Sequence, residues 1–579
     1  MNAEPKSIWR KAWKGPAKTL GWFALLAGAV FVILFLLVFL VSRPARISEL
    51  LVGPLILSVV LTGVGAGGLF LIRWLCNWRN FRRFLFGVAC FLTLIALAYA
   101  EENLRGKRAW EKHRRAWEAK GEKFTLAALA PPPVPDEKNF ARAPLFRPTY
   151  DFSRGPEGIV WRDTNALAHL DRLRADFASR HNADDKLALG SLEKGTFADL
   201  EACRAFYRGN TNYPQPAKPG TAAEDILVAL GKFDPEIEEL REAAATRPSS
   251  RFPIEYDYEP PWAILLPHLA RLKGLCTLTH ARALARLELG QSTRALEELN
   301  VGFHVSDSIR EEPFLIDHLV RIATLAINLQ TLREGLVRHA WSDEQLIELE
   351  KHLASVDVLA EYKLAMRGER ACGIGGLDWL RRRGFREDVM NYIGSEDGVG
   401  ASTGNFNPMP SGWFYQNMLT ISEMHDRFTL AAVDERAHRA FPDVVENGDR
   451  VLSQMPRAPY TIFAKLLMPA LSRAARKSVR MQAYVDEARV GCALERFRLA
   501  NGKFPESLDA LAPRFMGKIP SDVIDGKPLR YRPKPDGGYL IYSVGWNKTD
   551  DGGEMAWTKG KEPSADATQG DWLWQMPTK

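Results

Sequence analysis

No CxxC pair exists among the six cysteines of this 579-residue chain, and none of its eleven histidines falls in an HExxH or HxH spacing. That excludes the familiar zinc ligand sets and a dense disulfide framework. Cys76 and Cys90 lie in or beside apolar runs, and Cys203, Cys276, Cys372 and Cys492 are scattered. They read as buried free thiols, compatible with isolated disulfides only in an oxidising compartment. The sequence also lacks GxxxxGK[ST], which removes the commonest nucleotide-binding loop. Blocks of one charge sign are missing as well: the net charge of +7 is spread, with Lys and Arg alternating with Asp and Glu. Without a basic stripe or a reading motif, nucleic acid is not expected as a partner.

What the chain does have is apolar length at one end. Leu20 to Val41 and Leu50 to Leu71 are uncharged runs of 22 residues, and Phe84 to Ala100 adds 17 more before Glu101 and Glu102. At about 1.5 Å per helical residue each of the first two crosses a hydrocarbon core of about 30 Å. The spacing predicts a three-helix membrane anchor over 1–100. The first run is too long for a cleaved signal peptide and lacks a small-residue cleavage pattern, so it reads as an uncleaved anchor. Lys6, Arg10, Lys11, Lys14 and Lys18 precede it, the first loop has only Arg43 and Arg46, and the second has Arg73, Arg79, Arg82 and Arg83. Rich, poor and rich loops place the N-terminus in the cytoplasm and the soluble domain outside it, as in a bacterial inner-membrane protein. The basic stretch Arg105 to Arg115 pulls the other way. Gly63, Gly65 and Gly68 match GxGxxG, but within an apolar run no strand-to-helix turn can hold a pyrophosphate. Gly63 and Gly67 form a GxxxG pair instead, a surface for close helix packing, including a homo-oligomer through the membrane segment.

From about residue 101 the composition becomes that of a polar globular protein. The expected architecture is mainly α. A juxtamembrane helix and Pro-rich spacer occupy 101–159, where Pro131, Pro132, Pro133 and Pro135 favour extended geometry. A helical body follows over 160–465. Its clearest piece, Ile264 to Ile309, places apolar residues at three- and four-residue steps around the break at Gly290. This piece resembles a tetratricopeptide-type hairpin, and Phe314 to Leu332 and Ser342 to Leu359 read as further, irregular pairs without a fixed period. The aromatic stretch 248–262 pins a loop to the core, and 393–412, rich in Gly, Ser, Asn and Pro, reads as an exposed loop.

A helix from about 470 to 500 is stopped by Asn501-Gly502, and β-prone runs at 529–532 and 539–544 flank Pro533 to Gly538. That predicts a small α+β module over 466–556 and a tail over 557–579. The segment ALERFRLANGKFPESLDAL and the stretch from Asp522 to Glu554 resemble the globular head of type II secretion pseudopilins, with Asn501, Gly502, Phe504 and Pro505 at the family's N-G-x-[YF]-P turn. The resemblance covers about residues 485–554. It implies a helix running into a small antiparallel sheet and a role in assembly or partner contact. It also implies a calcium candidate at Asn547, Asp550 and Asp551, oxygen ligands suited to a hard cation. The whole chain further resembles an uncharacterised class of bacterial membrane-anchored proteins, which implies no activity.

Catalytic patterns occur on paper only. Ser402 sits in a GxSxG and Ser191 in an SxxK, yet neither has the strand-to-helix context or the partner motifs its chemistry requires. Asp317-His318 and His425-Asp426 are adjacent pairs, which point about 100° apart on a helix. No catalytic residue and no cofactor beyond the calcium candidate is therefore assigned. The leading reading is a membrane-anchored envelope protein whose helical domain binds a protein partner in an assembly, with a link to secretion through the pseudopilin-like head. The alternatives are an extracytoplasmic hydrolase of envelope polymers with its site near 252–262, and a cytoplasmic-facing adaptor.

Overall fold

A computed structural model describes Val32 and residues 73–155, 158–176, 187–208, 210–384, 409–535, 537–558 and 565–576. The apolar runs over 20–41 and 50–71, with Gly63 and Gly67, lie outside the described residues apart from Val32, and so do Ser402 and most of the loop expected at 393–412. The chain divides into two compact units, Met1–Glu101 and Glu102–Lys579.

Helix α1 (Trp78–Glu118) contains the third expected span, Phe84 to Ala100. Among the described residues it is the one helix long and apolar enough to cross a membrane, and none of its most apolar stretch is buried within the protein.

The second unit is mostly helical. Helices α2 (Thr164–Asp171), α3 (Leu200–Arg208), α4 (Ala222–Leu230) and α5 (Asp234–Thr246) precede α6 (Leu269–Glu288); α2 and α4 pack on α6, α3 packs on α4, and Asp234 at the start of α5 pairs with Arg282 of α6. Thr221 and Glu224 close a capping box at the start of α4, each satisfying an amide the helix leaves orphaned. α6 packs along α7 (Ser292–Asp307) across a three-residue turn in which Gly290 adopts φ 70°, a conformation open to glycine at little cost. α8 (Leu315–Val337), α9 (Asp343–Leu353) and α10 (Val358–Arg383) follow, then α11 (Ser411–Met424), α12 (Pro442–Gln454) and the short α13 (Ile462–Leu467).

The spine is α14 (Leu471–Asn501), packed against α8, α9, α10 and α12. Every residue from Ser478 to Ala488 is buried, although the sequence there is half polar. Two of its charges are paired rather than solvated: Arg480 meets Glu193 at 2.8 Å and Asp486 meets His438 at 2.8 Å. Burying such groups costs several kcal/mol unless they are paired in this way. Gly502, at φ 77°, caps the helix in the left-handed conformation.

Before α14 the unit carries two small antiparallel hairpin elements, β1 (Phe152–Gly155) with β2 (Gly158–Trp161) and, later, β3 (Val433–Asp434) with β4 (Arg439–Ala440). After α14, β5 (Arg530–Pro533) pairs antiparallel with β6 (Tyr539–Ser543) in the register Arg530 to Tyr542. β7 (Met555–Trp557) pairs with β8 (Ala565–Gly570), and β9 (Trp572–Met576) returns to the other edge of β6.

Two sequence expectations are corrected. Residues 557–579 are not a tail: β9 completes the β5-β6-β9 sheet, and Trp572 and Trp574 are buried in the core beside α14. Burying the two indoles supplies the driving force that a reading of turns and charges overlooked. Nor do the prolines of 131–135 make a free spacer. Leu126, Leu129, Phe140 and Phe146 around them are buried, the Phe140 ring lies 5.4 Å from Phe146 and 4.5 Å from the His304 ring, and the Asn139 side chain donates to the Arg251 carbonyl at 2.9 Å. Large apolar residues at this density bind the segment to the body, whatever its proline content.

Candidate functional site

Beside the 252–262 stretch lies a cleft of about 610 Å³ walled by the last turns of α1, the segment 122–128, Tyr256 to Pro261, α10 and α11. Its geometry begins with how α1 is fastened. Gly106 and Gly412 let the backbones of α1 and α11 touch, since a methyl group at either would overlap the opposite backbone. Asn103 Oδ1 accepts the Gly412 N–H at 2.8 Å beside this crossing.

Below it sits a buried ionic knot. Arg370, fully buried, donates to Glu122 and to Asp426 Oδ1 at 2.6 Å, while Arg367 reaches Glu122 at 3.1 Å and the Phe124 ring lies 4.5 Å from the Arg370 guanidinium. Burial pushes the Glu122 carboxyl up, but the hydrogen bonds and charges of Arg367 and Arg370 outweigh it and hold it below the ordinary carboxylate range. His113 Nε2 lies 2.9 Å from Ser422 Oγ and 3.5 Å from Asp426 Oδ2. This is not a hydrolase triad. One imidazole nitrogen faces both partners, so Asp426 cannot orient the ring through the other, and Ser422 is 0 % exposed.

The outer wall is aromatic and charged. Arg382 pairs with Glu259 at 2.6 Å and, together with Arg381, with Asp378. Arg381 stacks 5.0 Å from the Tyr415 ring, and Arg154 lies 3.7 Å from the Tyr258 ring while bonding Glu255. Glu111, Glu118, Glu122, Glu259 and Asp378 each face a Lys or Arg. Among the described residues only Asp257 lines the cleft as a carboxylate with no ion pair. A single free carboxylate cannot divide acid and base roles as glycoside hydrolysis requires.

Behind the cleft runs a buried polar relay. The Tyr256 hydroxyl donates to Glu312, His268 Nε2 lies 3.4 Å from Asp317 Oδ1, and His268 Nδ1 lies 2.6 Å from the Tyr150 hydroxyl. Phe252 stacks on the His268 ring at 4.1 Å. Tyr150 lines a second cavity of about 620 Å³ with Arg142, Arg147 and Arg247. Burial pushes the Glu312 and Asp317 carboxyls up to about 8, with the Asp317 charge adding to the shift on Glu312, and pushes the His268 imidazole down to about 3. At neutral pH the interior therefore holds two protonated acids beside a neutral imidazole. Neither acid lines either cavity.

The residues singled out by sequence fall differently. Asp317 turns to His268 while its neighbour His318 bonds Ser478 Oγ at 2.8 Å, and His425 bonds Thr429 while Asp426 serves Arg370. Ser191 Oγ accepts the Lys194 backbone N–H at 3.3 Å in a turn. Asn547 and Asp551 pair with each other at 2.8 Å, and Asp550 accepts from the Tyr542 hydroxyl and faces the Arg530 guanidinium at 3.6 Å. Among the described residues no group of three or more His, Cys, Asp or Glu is arranged to hold a metal ion. Sequence reasoning missed Tyr150, His268 and Arg370; the one available signal was a charged or polar residue at an apolar step of a helical pattern.

No protein family, curated protein or solved structure matches the chain.

Proposed function

We propose that this chain is a membrane-anchored envelope protein whose helical domain, outside the cytoplasm, binds a protein partner in an assembly through the cleft between α1 and α10. The carrying observation is the composition of that cleft. Tyr258, Tyr415, Arg381 and Arg382 offer rigid aromatic and guanidinium surface, the residue types that dominate binding hot spots, while the cleft's carboxylates other than Asp257 are held by cations. The helix pairs, similar to tetratricopeptide hairpins, and the pseudopilin-like module at 485–554 support the same reading, because both are used elsewhere for contact between proteins. The calcium candidate at Asn547, Asp550 and Asp551 has no part in it.

The test is a photoreactive amino acid placed at Tyr258 or Tyr415 in the full-length protein in its own membranes. One discrete adduct with a second protein is expected at both positions, and it disappears when Arg381→Glu and Arg382→Glu are introduced. No adduct from either position, together with hydrolysis of envelope polymers by the purified protein that Asp257→Asn abolishes, would establish the enzyme reading instead.

A further inference from the structure

A separate cavity of about 500 Å³ lies among α10, α11 and α13. Its walls are apolar, formed by Leu377, Leu380, Ile421, Phe463, Leu466 and Leu471. Two polar groups face this lining. The Glu369 carboxyl has no hydrogen-bond or ion-pair partner among the described residues, and burial raises its pKa above the usual carboxylate value. His425 uses Nδ1 on Thr429 Oγ1 at 3.0 Å and leaves Nε2 without a partner among the described residues. Both residues line the cavity, where these polar atoms are open to a ligand that can hydrogen-bond.

The lip of the cavity is α13, where Ile462 is 53 % and Leu466 72 % exposed. Leu466 and Leu467 line the cavity and also reach the surface, so apolar character runs unbroken from outside to inside. Contiguous exposed apolar surface of this kind marks an interaction site. A volume of about 500 Å³ is within the range of small-molecule sites, and a mostly apolar lining with one or two polar atoms is their usual chemistry. We propose that this cavity takes the hydrocarbon chain of a single-chain membrane lipid with an uncharged hydroxyl head, which hydrogen-bonds to Glu369. A phosphate or quaternary ammonium head would lose its hydration against an apolar wall without a matching partner, whereas a hydroxyl both donates to and accepts from a carboxyl. A chain with a helix apolar enough to cross a membrane has lipid as its nearest source of such ligands.

The inference does not depend on the cleft, and its test leaves the cleft untouched. Full-length protein in lipid nanodiscs is exposed to hexadecanol carrying a photoreactive diazirine, and the adducts are mapped by mass spectrometry. Labelling is expected at the cavity residues Cys372, Ile421 and Leu466. Gly373→Leu should lower it at least tenfold. A side chain there enters the cavity with Ile421 Cγ2 at 3.8 Å from its Cβ as the nearest heavy atom, and leucine favours a helix over glycine, so the fold is retained. A probe of the same length with a trimethylammonium head should label these residues at least tenfold less, and Glu369→Leu should lower labelling by the alcohol. Labelling confined to Phe84 to Ala100, labelling indifferent to Gly373→Leu, or equal labelling by the charged probe would each overturn the proposal.

Discussion

The side chains that set the character of the interior are Glu312 and Asp317, acids shifted up to about 8 chiefly by burial, with Arg251 offsetting only part of the shift on Glu312. In the unfolded chain both release their protons near pH 4. Between about 4 and 8 the folded state therefore holds more protons than the unfolded one, and stability falls as pH rises through that window. His268, His318 and His425, pushed down to about 3 by burial, act in the opposite sense: the unfolded chain gains protons below about 6.5, and stability falls as pH drops from there. The histidine contribution is half gone at pH 6.5 and nearly gone by about 7.5, above which the raised carboxyls govern. Wild-type protein is thus predicted to lose stability as pH rises from about 7.5 to 8. Glu312→Gln, which keeps an acceptor for the Tyr256 hydroxyl, flattens the decline by roughly 1 kcal/mol per pH unit, the slope of one proton. Denaturant titrations at pH 6.5, 7.25 and 8 measure it, and equal slopes for the two proteins would contradict the assignment. None of this was legible in the sequence. Tyr150, His268, Glu312 and Asp317 come from separate segments, and only packing of the 252–268 stretch against α8 gathers them.

At the level of elements, legibility followed local chemistry. α14 was expected over about 470–500 and occupies Leu471–Asn501, because Pro469 and Gly502 punctuate it and no proline lies between. The α6–α7 pair was equally readable from its apolar steps and from Gly290. What could not be read is how much of each helix is covered. A helix with arginines and glutamates around its circumference reads as solvated, yet α14 is enclosed because Glu193 and His438, distant in sequence, supply the counter-groups. The 131–135 prolines misled for the same reason: their local geometry is extended, but the phenylalanines after them find the core. The α1–α11 crossing is a second contact invisible to local reading, and it gives a sharp prediction. Gly412→Ala places a methyl group against the Glu102 carbonyl in a backbone-to-backbone contact that no side-chain rotation relieves. The expected cost is about 1–3 kcal/mol. Chemical denaturation of the domain should show it, accompanied by faster protease cleavage at Lys120 and Lys123; unchanged stability and unchanged cleavage would show that the two helices are not in this contact.

On the scale of the whole molecule, two kinds of surface have to be reconciled. The exposed leucines and phenylalanines of α1 make it long and apolar enough to cross a membrane, whereas the unit from Glu102 onward has buried cores and a polar cleft. A membrane-anchored domain that binds a partner through that cleft accounts for both, and which side of the membrane the cleft faces decides who the partner can be. The direct measurement is topology in living cells, with reporters active only inside or only outside the cytoplasm fused after residues 45, 78 and 579. The account predicts outside activity at 45 and 579 and inside activity at 78. Inside activity at 579 would contradict it, remove the envelope assembly as the setting, and make the protein an adaptor facing the cytoplasm.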